Sequence, residues 1–516
     1  MTGPDHVALL PAYLAGATVV LVLLTDALLA RRGVVIAVTA LGAVVTGAAA
    51  YWVGTGPTRT SFCGAKAPQD CSYVADSLAA VVAVLFAGLT LGVLALSVPA
   101  LRSPGVPAGE YCFLLACSMT GGVVLGYAGD LVSLIVALET LTLPLYLLVG
   151  LRRGSVASAE GAITFFVVSV VATAVTLLGA ALLYAVTGAL HFGLLSAAFA
   201  ADAGLADQPL ATVAVTLVIV GLSFKVAAVP FHAWAPAAYD GAPLPVAAYL
   251  STASKLGGVV ALLYVTVDAL PPERTGPVLA LLAVLTMTVG NLVALRQTRM
   301  VRLLAWSSVA QAGYILAPLG AAAVASGRTP DALALAVTAT VAYAVFYVVM
   351  ELAAFAAVVA LRPTGGDGGT LDEYRGVARR APWVGAAFVL ALVGLAGLPP
   401  GLAGLFAKVT VVRSLLGGGA GWLAVVVALN AVVGLAYYVR VAASLYAHRA
   451  AEGPRGPQPA EIAAGEPVGV GPSGPAPAAP ALSWPVAATL GVATLVAIVV
   501  GFAPQLVLDA ASLAQP

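Results

Sequence analysis

Charge is what this sequence has least of: across 516 residues, 23 Lys and Arg stand against 22 Asp and Glu, 9% of the chain. Soluble domains carry roughly 25% charged residues, so a globule of this size would lack solvated groups to cover its surface. A soluble enzyme is thereby excluded. A net charge of +1 leaves no basic face for phosphates, which excludes nucleic acid as a partner. Cysteine is scarce too. Cys63, Cys71, Cys112 and Cys117 form no CxxC motif and no Cys/His cluster, so neither an iron–sulfur centre nor a metal site is encoded. There is no Lys or Arg before Arg31, whereas a secretory signal needs a basic segment ahead of its apolar core. The first apolar stretch is expected to be a retained span with its N-terminus outside.

What is present is apolar sequence, 61% of the chain. A membrane-spanning helix takes about 20 such residues, and the runs fall near 8–30, 33–53, 77–101, 111–127, 130–150, 160–187, 209–231, 244–267, 276–295, 301–323, 332–361, 383–412, 421–447 and 484–507. The fold class is therefore an all-α polytopic membrane protein of about fourteen transmembrane helices. Arginine sorts between alternate loops as the positive-inside rule requires. Arg31, Arg32, Arg102, Arg152, Arg153, Arg296, Arg299, Arg302, Arg362, Arg375, Arg379, Arg380, Arg449 and Arg455 lie on one side. Arg59, Lys66, Arg274 and Arg328 lie on the other, with Arg413 at a boundary. An even number of spans with both termini extracytoplasmic follows. Cys63 and Cys71 then sit outside, where they can pair; Cys112 and Cys117 read as packing residues. Residues 451–482, rich in Pro, Gly and Ala, read as a cytoplasmic linker.

An ionised side chain at mid-bilayer costs about 2.5–3.5 kcal/mol on insertion scales, so each one needs a reason. The candidates are Glu139, Lys225, Lys255, Glu351, Lys408 and Arg440, with Glu160 and His232 nearer helix ends. Three of only four lysines lie in spans. A desolvated lysine can give up its proton and an arginine cannot, which points to proton transfer. Prolines accompany these charges: Pro144 follows Glu139, Pro230 follows Lys225, and Pro399-Pro400 precede Lys408. A proline inside a helix frees the carbonyl four residues earlier, and broken backbone in a bilayer is tolerated only where it lines protein or water. Helix breaks are expected at all three places. A broken span in each half of the chain matches the inverted-repeat signature of transporters.

Several motifs then form a consistent series: Gly129-Asp130-Leu131-Val132-Ser133-Leu134 leading to Glu139, Phe224-Lys225 with Val229-Pro230-Phe231-His232, Ser251-Thr252-Ala253-Ser254-Lys255, Arg302-Leu303-Leu304-Ala305-Trp306-Ser307-Ser308, Gly397-Leu398-Pro399-Pro400 through Lys408, and Tyr437-Tyr438-Val439-Arg440. Over about residues 75–450 the series resembles the antiporter-like subunits of bacterial respiratory complex I (NADH-quinone oxidoreductase). The pattern is that of the N-type members, since M-type members usually have a glutamate where Lys408 stands.

The resemblance implies inverted repeats over helices 4–8 and 9–13, each with a broken helix. Residues 1–110 then form a three-helix leader, 111–270 the first repeat, 271–450 the second, and 483–516 the last helix after the 451–482 linker. It also implies a non-redox subunit of a translocating enzyme in the plasma membrane, with flavin, iron–sulfur clusters and quinone held by partner subunits and no cofactor in this chain. Glu139 would modulate Lys225, Lys255 would be the central relay and Lys408 the exit-side site. Glu160, His232, Gln311, Glu351 and Arg440 would form an accessory polar relay. Gln311 departs from the family, which often has a histidine there. Glu351 departs in the other direction, standing where relatives usually carry a neutral residue, and Thr164 stands where a lysine is common. A multi-subunit Na⁺/H⁺ antiporter or a membrane-bound hydrogenase shares nearly the same core motifs.

Overall fold

The computed structural model describes residues 4–64, 70–103, 105–152, 154–202, 204–448 and 482–512. Lys66, Arg153, Arg449, Arg455 and all but the last residue of the 451–482 linker lie outside the described residues.

In hydrocarbon every backbone N–H and C=O must find its partner within the segment, so apolar runs of this length become helices. Eleven of them are long and apolar enough to cross a bilayer. They are α1 (Leu10–Leu29), α2 (Arg32–Gly54), α3 (Ser77–Arg102), α4 (Ala108–Gly126), α5 (Leu131–Val149), α6 (Val156–Thr187), α8 (Leu244–Ala269), α9 (Pro272–Ala294), α11 (Pro330–Leu361), α13 (Gly421–Tyr446) and α14 (Trp484–Phe502). The other three expected spans are present in a different form. α10 (Met300–Leu316) is short, while α7 and α12 are each in two pieces: α7a (Pro209–Lys225) with α7b (Trp234–Gly241), and α12a (Pro382–Ala396) with α12b (Leu402–Gly417). The two interrupted spans are each fourth in their group, α4–α8 and α9–α13, as a repeat organisation requires.

Local signals set the helix starts. Asp76 Oδ1 accepts the Ala79 amide at 2.7 Å and Asp130 Oδ1 that of Ser133 at 2.8 Å, each satisfying one of the free amides at a helix N-terminus. α8 is enclosed along its whole length, packed by α3, α4, α5, α7a, α10 and α11. α1, α2 and α6 instead turn large side chains such as Leu24, Leu41 and Leu178 outward. Exposed apolar surface on that scale marks a lipid-facing belt.

The connecting segments sort to two faces. On one, Asp5 pairs with Arg59 at 3.0 Å, Ser72 bonds His191 at 3.2 Å, and Asp207 pairs with Arg274. The same face carries the hairpin of β1 (Arg59–Cys63) and β2 (Cys71–Ala75), whose register sets Cys63 opposite Cys71; the two are joined by a disulfide. On the other face Arg32 reaches the Leu101 carbonyl, and Arg299 pairs with Asp240 and Asp367. There Arg362 also pairs with Asp367 and Glu373. The loop arginines of the topology argument therefore tie neighbouring loops of one face together.

Candidate functional site

The first cluster is built where α7a stops. Lys225 ends that helix, Ala227 takes a left-handed φ of 57°, and α7b begins only at Trp234. The interruption thus starts five residues ahead of Pro230. Gly258 of α8 makes room for it, since a Cβ there would lie 2.7 Å from the Lys225 carbonyl carbon. Lys225, 5% exposed, donates to Glu139 Oε1 at 2.6 Å, Ser169 Oγ at 2.9 Å and Thr142 Oγ1 at 3.1 Å. An ammonium has three donors and no acceptor, so it is fully satisfied. Glu139 Oε1 also accepts from Thr173 at 2.5 Å, and the Tyr146 hydroxyl donates to Ser169 and Thr142. Taking two charges out of water is repaid only when such further hydrogen bonds are in place.

Lys255 lies at the centre of the enclosed helix, 2% exposed. Its Nζ donates to the Ser308 carbonyl at 2.5 Å, its one hydrogen bond among the described residues. The turn before it, Leu250–Ser254, is a π-turn, a distortion frequent at functional sites. Two carbonyls of that turn are taken by hydroxyls from other helices: Tyr239 donates to Leu250 at 3.1 Å and Tyr347 to Ser251 at 2.8 Å. Tyr347 also bonds the Ser308 hydroxyl at 2.7 Å.

The third cluster forms at the break in α12. Gly397, at φ 80°, ends α12a and leaves carbonyls of its last turn free. Lys408 of α12b reaches back to two of them, Ala396 at 2.5 Å and Leu395 at 3.1 Å, and its Nζ lies 5.3 Å from the Tyr314 ring centre. Gln311 of α10 donates to the same Leu395 carbonyl and to Tyr438, and accepts from the Tyr343 hydroxyl at 2.6 Å. Tyr438 continues to Ser307 at 2.5 Å.

Three expectations need correction. α5 runs unbroken through Pro144: one missing N–H removes one hydrogen bond, and in an apolar surround a kinked helix is better than a broken one. Arg440 is exposed and donates to the Leu295 and Gln297 carbonyls where α9 ends, so it caps a helix and stands outside the buried line. Glu160 is exposed in the first turns of α6, away from the buried clusters. His232 is half-buried in the stretch between α7a and α7b, its ring 5.1 Å from Trp306. Glu351 is fully buried, with no hydrogen-bond partner for either carboxylate oxygen among the described residues.

Several participants escaped the sequence reading, notably Thr142, Ser169, Thr173, Tyr343, Tyr347 and Tyr438. A signal for them exists. Ser169 and Thr173 are one turn apart in the middle of α6, and Tyr343, Tyr347 and Glu351 recur at i, i+4, i+8 on α11, so each set shares one helix face.

The family profile described as "NADH:quinone oxidoreductase/Mrp antiporter, TM" matches residues 128–434. An NADH-quinone oxidoreductase subunit N of Salinispora tropica is 70% identical over 98% of both chains. A subunit N 2 of Streptomyces griseus is 44% identical over 87% of this chain and 84% of its own. Among solved structures, a chain of respiratory complex I from Thermus thermophilus superposes with a TM-score of 0.76 at 30% identity, covering 97% of this chain and 98% of its own. A chain of the Mrp complex from Dietzia sp. shares the fold at 24% identity, with a TM-score of 0.79 over 99% of this chain and 96% of its own. The chain belongs to the NADH:quinone oxidoreductase/Mrp antiporter transmembrane family, on the branch of the NADH-quinone oxidoreductase N subunits.

Proposed function

We propose that the chain translocates protons as the N-type membrane subunit of a bacterial NADH:quinone oxidoreductase, and that it performs no redox chemistry itself. Flavin, iron–sulfur and quinone chemistry are assigned to partner subunits, and both termini to the extracytoplasmic side of the plasma membrane. The observation that carries this reading is Lys225: a buried ammonium held by Glu139 and two hydroxyls at a helix break. A carboxylate 2.6 Å away keeps the proton on the amine, and its withdrawal loosens that hold. A two-unit change in proton affinity corresponds to about 2.7 kcal/mol, comparable with moving one charge through roughly 100 mV. A shift in the Glu139–Lys225 contact therefore couples to pumping.

Protons enter at Lys225, pass through Lys255, and leave by Lys408, with Gln311, the tyrosines and His232 ordering the polar line. Identity of 70% along 98% of a subunit N favours this over a sodium antiporter. Native purification of the tagged chain tests it. Recovery with NADH-oxidising subunits and NADH-driven acidification that is independent of sodium is expected; recovery with antiporter subunits alone would overturn the reading.

A further inference from the structure

In the first half of the chain the lysine of the broken fourth helix meets a carboxylate of the second helix, Glu139, and a hydroxyl of the third, Ser169, while Thr173 of the third donates to that carboxylate. In the second half the second helix, α10, carries a neutral amide, Gln311, and a carboxylate stands on the third helix, α11, at Glu351. We propose that Glu351 is the proton acceptor for Lys255, so that a second lysine–carboxylate couple, split between α8 of the first half and α11 of the second, follows the Glu139–Lys225 pair. The proposal rests on the translocation reading above and assigns its central step.

Glu351 is 0% exposed and no protein group among the described residues bonds either oxygen. A buried carboxylate left in that state is charged only if a counter-charge faces it, and otherwise takes up a proton. Packing brings Lys255 to it: Tyr347, one turn before Glu351 on α11, donates to the Ser251 carbonyl, one turn before Lys255 on α8, and α11 packs against that part of α8, so the opposite charge that acts on Glu351 is Lys255. Lys255 has donors to spare, since only the Ser308 carbonyl receives one. The hydroxyls of Tyr239, Tyr347 and Tyr438, on α7b, α11 and α13, feel its charge. Tyr347 bonds Ser308, the residue on which Lys255 is anchored, and Tyr438 bonds Gln311, which shares a carbonyl with Lys408. Of the groups that feel its charge, Tyr347 thus leads to the central lysine and Tyr438 to the exit lysine.

The step balances. An N–H bond of the Lys255 ammonium breaks and an O–H bond of Glu351 forms, by side-chain rotation or across a bridging water. Ammonium and carboxylate become neutral amine and neutral acid, so the net charge of the pocket does not change. The acid then gives its proton to the neutral Lys408 amine through bridging water that Tyr438 and Gln311 order without themselves changing protonation, and the carboxylate left behind faces the next Lys255 ammonium. With a neutral side chain at 351 the same passage would strand an unpaired cation between α8 and α12.

The test uses the assembled complex in proteoliposomes, reading protons moved per NADH oxidised, with Lys225→Ala as a control. Glu351→Gln keeps the shape and removes the acid. It is expected to lower pumping about tenfold or more, Glu351→Asp is expected to retain part of it and shift its pH profile, and Gln311→Ala to lose less than Glu351→Gln. A purely structural Glu351 would tolerate Gln best. Should Glu351→Gln fail to assemble, the double variant with Lys255→Gln removes both charges together and is expected to assemble without pumping. Normal pumping by Glu351→Gln or by the double variant, beside a silent Lys225→Ala, would overturn this proposal alone. Normal pumping by Lys225→Ala as well would overturn the translocation reading with it.

Discussion

Gln311 and Lys408 donate to one atom, the carbonyl oxygen of Leu395, each at 3.1 Å. The amide that stands in place of a family histidine is therefore wired to the lysine at the second helix break. Gln311 cannot titrate, but its carbonyl end receives the Tyr343 hydroxyl and its amino end reaches Tyr438, so it fixes the direction of a line of hydroxyls.

Gln311→Leu should leave the Tyr343 hydroxyl buried without a partner, at a cost of about 1–3 kcal/mol. The expected outcome is a lower thermal midpoint of the purified complex and slower pumping, with Gln311→His restoring most of both. Differential scanning of the complex and a pH-sensitive dye in proteoliposomes read the two effects.

Much of this was legible in the sequence. Fourteen spans, the charges inside them and the breaks near Pro230 and Pro399-Pro400 all follow from local composition, because bilayer thickness and backbone satisfaction leave a short segment few choices. Pro144 misled because a missing N–H does not reveal whether neighbouring helices hold the kinked segment together. Arg440 misled because position within an apolar run does not give depth, and a long side chain at a helix end reaches polar atoms. The partners of the lysines were out of reach because they depend on which helices meet: Ser169 and Lys225 are 56 positions apart, and their contact is a product of packing.

The Glu139–Lys225 pair makes a graded prediction. Glu139→Gln leaves a buried ammonium without its counter-charge, a change worth about 3–5 kcal/mol, and pumping should fall as far as in Lys225→Ala while the complex still oxidises NADH. Thr173→Val removes a single hydrogen bond to the carboxylate, about 1.5–3 kcal/mol, and should slow pumping roughly tenfold or more. Equal effects of the two substitutions would mean that the carboxylate's charge is not what matters.

Gly397 is held at φ 80° with the Lys408 side chain against it; a Cβ there would lie 2.7 Å from Lys408 Cδ. Gly397→Ala should cost about 1–2 kcal/mol in backbone strain alone and push the lysine off its two carbonyls. Pumping is expected to drop more than for Gly491→Ala on α14, where an added Cβ meets no atom within 4 Å.

The Cys63–Cys71 disulfide closes a short loop, and its loss should destabilise the hairpin by roughly 2–3 kcal/mol. It also reports on orientation. In intact right-side-out vesicles a membrane-impermeant reductant followed by an impermeant maleimide should label both cysteines; labelling in inverted vesicles only would reverse the proposed topology.

On the opposite face burial by itself would raise the Asp367 carboxyl, but Arg299 and Arg362 beside it outweigh this and hold it below the usual carboxylate range. A carboxylate whose folded-state proton affinity is depressed contributes stability above its unfolded pKa and loses it as pH falls through the folded value. Asp367 is 39% exposed, so each pair is worth no more than about 1 kcal/mol. Limited proteolysis of the 362–375 loop should therefore be unchanged from neutral pH down to about pH 4, the ordinary Asp range, and accelerate below it. Asp367→Asn should weaken that acid response, and the double variant with Glu373→Gln, whose carboxyl the Thr370 amide and Arg362 also hold low, should abolish it.

The most direct test is the number of protons moved per NADH oxidised by the purified, reconstituted complex, compared between the wild-type chain and Lys225→Ala at equal assembly. The predicted result is a lower ratio with quinone reduction retained, because the substitution removes the ammonium that Glu139, Thr142 and Ser169 hold. An unchanged ratio would contradict the claim that this chain carries protons through Lys225.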